Sequence, residues 1–192
     1  MVVGQKKMPH FEVIDCVWRS KARWHLEEPE SPDGTKSFTW TFTRCQPFEP
    51  RVPLCIRVQE QGDVVDFTFA AFNIPVLSPR ALEVLSPTLT EFCEFTPVQI
   101  QDQSSGFAIL NVLRAEDCVD EGASELMIWR ATDHRADKVG QYRQITKLVL
   151  KSNLRVPPIF RLAKFKISLL VSDTEADLFR RHRLTGVVLE ER

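Results

Sequence analysis

The stretch RAEDCVDEGASE, residues 114–125, places five carboxylates within ten positions: Glu116, Asp117, Asp120, Glu121 and Glu125, with no base among them. Such a run has three chemical uses: calcium ligation, an acid–base carboxylate pair, or a docking surface for a basic partner. An EF-hand loop starting at Asp117 requires an oxygen ligand two residues on, a glycine at the sixth position and a glutamate at the twelfth. Only Gly122 fits, since Val119 and Ile128 occupy the other two positions. Acid–base chemistry by Asp117 and Asp120 requires two environments that pull their pKa values apart. Crowded acids in a polar loop do not provide that. The run therefore reads as an acidic connection between two strands, either solvated or turned toward a basic partner.

Other reactive side chains are scattered. The five cysteines (Cys16, Cys45, Cys55, Cys93 and Cys118) are odd in number and widely spaced, with no C-x-x-C. Neither a zinc site nor a disulfide framework follows from that pattern. Cys93 and Cys118 lie among apolar residues and are expected to be buried thiols. His10, His25, His134 and His182 have no Cys or carboxylate at ligand spacing. A Cys–His nucleophilic pair meets in space rather than in sequence, so spacing does not decide it. His182 sits in RRHR, where cations suit a helix C-terminus. No phosphate-binding loop, dinucleotide fingerprint, metalloprotease helix or nucleophile elbow occurs. No catalytic residue, metal or cofactor is expected.

The chain has 192 residues and 43% hydrophobic content, enough for one cored domain with or without an extension. The net charge of −1 gives no global pull toward nucleic acid or an anionic membrane. The charge is uneven, however. Residues 70–150 hold eleven acids and seven bases, a net −4, and residues 151–192 hold five acids and nine bases, a net +4. No apolar stretch approaches the length of a signal h-region or a membrane span, so a cytoplasmic location is expected.

The elements that position these residues follow from pattern. SFTWTFT (37–43) alternates as a strand with Phe38, Trp40 and Phe42 on one face. LCIRVQ reads as a short edge strand and VVDFTFAAF (64–72) as a further strand. Ser78-Pro79 opens a helix, and Ser86-Pro87 is expected to end or kink it. EFTPVQI (94–100) and GFAILNVLR (106–114) form a hairpin across QDQSS. ELMIW (125–129) and ITKLVL (145–150) are strands joined by a polar loop at 131–144. PPIFRL and FKISLLV are β-rich. Ser172 and Glu175 have capping-box spacing for a last helix that Gly186 is expected to close, before VVLE returns as a strand. The class is α+β, a mostly antiparallel sheet carrying a few short helices, with no internal repeat.

Four stretches taken in order, NIPVLSPRALEVL, EFTPVQI, GFAILNVLRAEDCVD with Ser124, and PPIFRLAKFKISLLVSDTEADLFRRHRLTGVVLEE, resemble the bacterial polymorphic-toxin immunity protein 11 family. The resemblance spans about residues 70–192 and leaves 1–69 as an N-terminal part of unassigned type packed on the rest. It implies a binder and not a catalyst: an immunity protein that neutralises a cognate toxin encoded by the adjacent gene, with no nucleic acid or membrane partner. A regulatory inhibitor of a non-toxin enzyme, such as a protease, is the alternative. Asp117, Asp120 and Ser124 fall on the family's motif, which favours a structural turn for that loop. Contacts are expected in the variable parts, among them Asp133, His134 and Arg135, together with Glu116, Asp117, Asp120, Glu121 and Glu125.

Overall fold

The computed structural model describes residues 9–15, 23–36, 40–104, 106–152 and 154–192. In chain order its elements are β1 (His10–Asp15), β2 (His25–Leu26), β3 (Leu54–Ile56), β4 (Val58–Glu60), β5 (Phe67–Ala70), β6 (Ile74–Leu77), α1 (Pro79–Leu89), β7 (Cys93–Ile100), β8 (Phe107–Val112), β9 (Ala115–Glu116), β10 (Glu125–Ile128), β11 (Tyr142–Lys147), β12 (Ile159–Leu162), β13 (Phe165–Ser172), α2 (Asp173–Arg181) and β14 (Val187–Glu191). Two five-stranded sheets carry the fold, ordered β3-β7-β8-β6-β5 and β14-β1-β13-β12-β9. β2 pairs with β4, and β10 with β11 as a separate arm. The class is α+β as expected, but the sheets are mixed: β3–β7 and β9–β12 are parallel pairs.

Each sheet is built around the same unit. β6 is followed by α1 and then by β7, which lies parallel to β6 with antiparallel β8 between them. β13 is followed by α2 and then by β14, again with one antiparallel strand, β1, in between. These are two split βαβ crossovers. No sequence repeat betrays them, because each is fixed by burial pattern rather than by residue identity. β6, β8 and β12 are buried at every position, the mark of strands covered on both faces. The two helices touch each other, and Leu85, Leu89, Ala176 and Phe179 share one core with Phe11, Phe67 and Val171. β1 thus places N-terminal residues between two C-terminal strands, and the expected division between 69 and 70 falls inside β5.

Several local expectations change. In SFTWTFT, residues 37–39 lie outside the described residues, and Thr41–Thr43 form a 3-10 turn instead of a strand. The Thr43 hydroxyl donates to the Trp40 carbonyl at 3.1 Å, a local bond that competes with a strand ladder. Phe42 is consequently buried against Phe48, while Trp40 is 52% exposed. Pro87 does not end α1, which runs on to Leu89. Its missing N–H falls in the last turn, so a single bond to the Glu83 carbonyl is forgone while Leu85 and Leu89 stay buried. Ser78 caps α1 as expected, accepting the Ala81 N–H at 3.1 Å. Ser172 instead donates its hydroxyl to Glu175, so the expected capping box closes between side chains.

Gly186 does not cap α2. The helix ends in a Schellman motif in which Leu184 N–H reaches the Phe179 carbonyl (2.9 Å) and Arg183 N–H the Arg180 carbonyl (3.1 Å). The left-handed residue is Arg183, at φ 49°. Gly186 instead serves a close approach. A Cβ there would lie 2.0 Å from the Phe67 carbonyl oxygen, so only glycine lets the chain pass β5.

Asp66 joins the two halves. Its carboxylate accepts Ser78 Oγ (3.0 Å), Arg80 Nη1 (2.7 Å), and both the N–H and the hydroxyl of Thr185 (2.9 Å each). Desolvation opposes its ionisation, but the donors of Thr185 and Ser78 and the charge of Arg80 outweigh it and hold the carboxyl below its ordinary range. A depressed carboxylate stabilises the fold above the unfolded pKa of about 3.9, and that contribution is lost as pH falls through the lower folded value. Asp66→Asn is therefore expected to cost about 2 kcal/mol at neutral pH and to flatten the acid limb of a stability-versus-pH curve measured by urea denaturation. Arg183→Gly is expected to add roughly 0.5–1 kcal/mol, read as a rise in Tm, by relieving the left-handed backbone.

Candidate functional site

The acidic run folds into a turn whose groups are mostly committed to its own architecture. The Asp120 carboxylate accepts the N–H groups of Gly122 and Ala123, at 3.1 Å each. Ser124 Oγ donates to the Val149 carbonyl and accepts the Val149 N–H. Glu121 accepts Lys164 Nζ at 2.6 Å and the Tyr142 hydroxyl at 2.7 Å. Lys164 and then Tyr142 hold the Glu121 carboxyl below its ordinary range. Burial, followed by the bond to Glu121, pushes the Tyr142 phenol up. Lys151 Nζ donates to the Asp117 carbonyl at 2.9 Å. Glu116 lies in β9 beside β12, and exposed Glu125 opens β10.

Asp133, His134 and Arg135 sit elsewhere, at the far end of the β10–β11 arm. Asp133 accepts the Arg130 N–H at 2.7 Å. His134 takes a left-handed conformation at φ 54°. Arg135 grips Asp137 with two bonds of 3.0 and 2.9 Å. The eight expected contact residues thus fall in two segments, one running into β10 and one beyond it in the chain, of which the first reaches the arm through the Glu121–Tyr142 bond.

Between the arm and the body lies a cleft of about 600 Å³, within the size range of ligand sites. Residues 40–44, the β5–β6 turn, residues 129–143 of the arm and the β12–β13 turn enclose it. Five cations line it, Arg44, Lys138, Arg143, Lys164 and Lys166, and no acid does. Trp40, Phe72, Trp129, Tyr142 and Phe165 supply aromatic walls. Arg143 lies 4.8 Å over the Trp129 ring, and Trp40 meets Phe72 edge-on at 5.2 Å. The arm is pinned to this wall by the Tyr142 N–H, which donates to the Lys164 carbonyl at 2.9 Å.

Phe72 and Asn73 are both left-handed, at φ 62° and 57°. For an aromatic residue this costs roughly 1–2 kcal/mol, and Phe72 remains 41% exposed, so burial offsets little of it. The turn is held from below by Arg161, which is fully buried in β12. Its Nη2 donates to the Asn73 carbonyl at 3.4 Å, and its Nη1 to the carbonyls of Lys166 (2.7 Å) and Ile167 (3.5 Å). No carboxylate faces it among the described residues, and burial lowers its pKa to about 10.

The cleft is spread over four distant segments, which is why no motif announces it. One signal is present: Lys164-Phe165-Lys166 interleaves cations with an aromatic. Burial pushes the Cys93 thiol up to about 12 and the Cys118 thiol to about 11, in keeping with inert buried thiols. His10 is buried edge-on against Phe160. Among the described residues, no group of three His, Cys, Asp or Glu side chains is placed to hold a metal ion, and no helix is long and apolar enough to cross a membrane.

Arg161→Lys keeps the charge but cannot span the Asn73 and Lys166 carbonyls together. It is expected to cost about 2 kcal/mol by chemical denaturation. Hydrogen exchange is expected to rise first in the 71–73 turn.

No curated protein matches the chain at a significant level. The family model described as "Immunity protein family (Imm11)" matches residues 6–192, so the match takes in β1 and the N-terminal part as well as the segments after residue 70. With strands of both sheets and both helices inside that match, the chain belongs to the Imm11 immunity protein family.

Proposed function

We propose that this protein is the immunity partner of a bacterial toxin encoded by the adjacent gene, which it binds and neutralises in the cytoplasm of the producing cell. The observation that carries this reading is membership of an immunity family over nearly the whole chain. Inhibition is by cover: a folded surface seated over the toxin's active site, with no turnover and no cofactor. Neither nucleic acid nor membrane takes part.

The contact face includes the acidic turn and the tip of the arm. Asp117, Glu121, Glu125, His134 and Arg135 are exposed, with Glu116, Asp120 and Asp133 beside them. Acidic side chains on that rim suit a toxin with a basic active-site surface, such as a nuclease.

The test is growth. The adjacent gene product expressed alone is expected to arrest cells, and co-expression of this protein to restore them; a harmless neighbour, or killing without rescue, would sink the reading. For the acidic rim, Glu116→Lys with Glu125→Lys is expected to weaken toxin affinity about tenfold at unchanged Tm. Glu121 is left in place because it anchors Tyr142 and Lys164.

A further inference from the structure

We infer that the cleft between the arm and the body takes an acidic segment of the bound toxin, with an apolar side chain of that segment set against Trp40 and Phe72. The inference rests on the toxin reading above and adds to it where, and by what chemistry, the partner is held. Three observations carry it.

The first is charge. Arg44, Arg143 and Lys166 make no ion pair among the described residues, and Lys166 Nζ is aimed at the Arg44 carbonyl, 3.0 Å away. Lys164 pairs directly with Glu121, on the side of the acidic turn. Cations gathered around one concavity without acids repel each other, and they are complementary to a carboxylate-bearing guest.

The second is exposed apolar surface. Trp40, Phe72 and Ile167 line the cleft and are 52%, 41% and 38% exposed, while Met127, Ile128 and Val139 are exposed on the arm that walls it. Three of the eight large exposed hydrophobics among the described residues therefore line this one cleft. Apolar residues beside unpaired cations form the aromatic-and-arginine centre typical of protein contacts.

The third is strain. Phe72 holds a left-handed backbone that glycine or asparagine would adopt at less cost, and it does so to present an exposed ring. Folding gains little from that choice, whereas a guest gains a fixed aromatic wall.

A protein segment fits better than a nucleic acid strand. The acidic turn adjoins the cleft through the Glu121–Lys164 pair, so a polyanion running on past the cleft would meet Glu121 and Asp117. A short acidic loop on a folded partner concentrates its charge locally and avoids them.

The experiment uses the full chain and the adjacent gene product in inactive form, with affinity by titration and rescue by co-expression. Phe72→Gly is expected to keep or raise Tm while weakening binding about tenfold. Arg143→Glu with Lys166→Glu is expected to weaken it by about a hundredfold. Exposed Arg181→Glu on α2 is expected to leave affinity within about twofold. Wild-type rescue accompanied by cleft variants that bind like the wild type would overturn the cleft assignment and leave the toxin reading standing. Absence of both binding and rescue in the wild type would overturn the toxin reading and its occupant together. A short single-stranded oligonucleotide that binds the wild type and is lost in the double variant, with toxin affinity unchanged, would overturn the acidic-segment occupant in favour of nucleic acid.

Discussion

One edge governs this molecule. β5 is the outermost strand of its sheet, and an edge strand left open is a template for pairing with another chain. Here it is met by the loop between α2 and β14, by Arg23 and by Arg161 of β12, through polar groups at its start, along it and just beyond its end. Asp66 is bonded to Thr185, and the Phe67 N–H donates to the Thr185 carbonyl at 3.0 Å. Thr68 accepts from buried Arg23, which also donates to Asp15 at 2.6 Å. Beyond the strand, the Asn73 carbonyl receives Arg161. Hydrophobic contact alone would let two sheets slide, since it has no direction. These bonds have direction, and Gly186 shows how closely the two chains pass.

Sealing that edge has a cost which the structure meets unevenly. Arg161 is a buried cation facing carbonyl oxygens, with its Nε left without a partner. Burying a guanidinium without a counter-ion is unfavourable, and carbonyl dipoles only partly offset it. An apolar residue would be less costly there but would not hold the β5–β6 turn and the start of β13 at a fixed distance. Arg161 thus stands beneath the cleft for geometry more than for stability. The strained Phe72 turn depends on the same geometry, since nothing else recovers its backbone cost.

What the residues announce and what they withhold divide by range. Ser78-Pro79, the hairpin around 101–106 and the burial of Cys93 and Cys118 are legible because each rests on a few neighbouring residues. The place of β1 is not: His10–Asp15 offers no local sign that it will lie between strands formed more than 150 residues later. Gly186 reads as a helix cap because a cap is the local reason for a glycine, whereas its actual reason is a carbonyl on β5. The acidic run is the loudest local signal and becomes largely a turn stabilised by its own side chains. The cleft is silent, because its cations and aromatics come from four segments that only tertiary structure assembles.

The two charged features are not independent surfaces. Lys164 lines the cleft and also pairs with Glu121, while Tyr142 donates its hydroxyl to Glu121 and its backbone N–H to Lys164. Acid and base are therefore fixed side by side on one face by a network in which moving one member disturbs the others. A partner that meets this face must carry both signs in the matching order, which constrains its orientation as well as its approach. A uniformly charged surface attracts many partners in many poses; an ordered pair of opposite patches rejects most of them by like-charge contact. Under the proposed toxin-binding role, such rejection matters as much as attraction. In the proposed complex the aromatic walls have a separate part, holding a partner that charge has already selected and aligned.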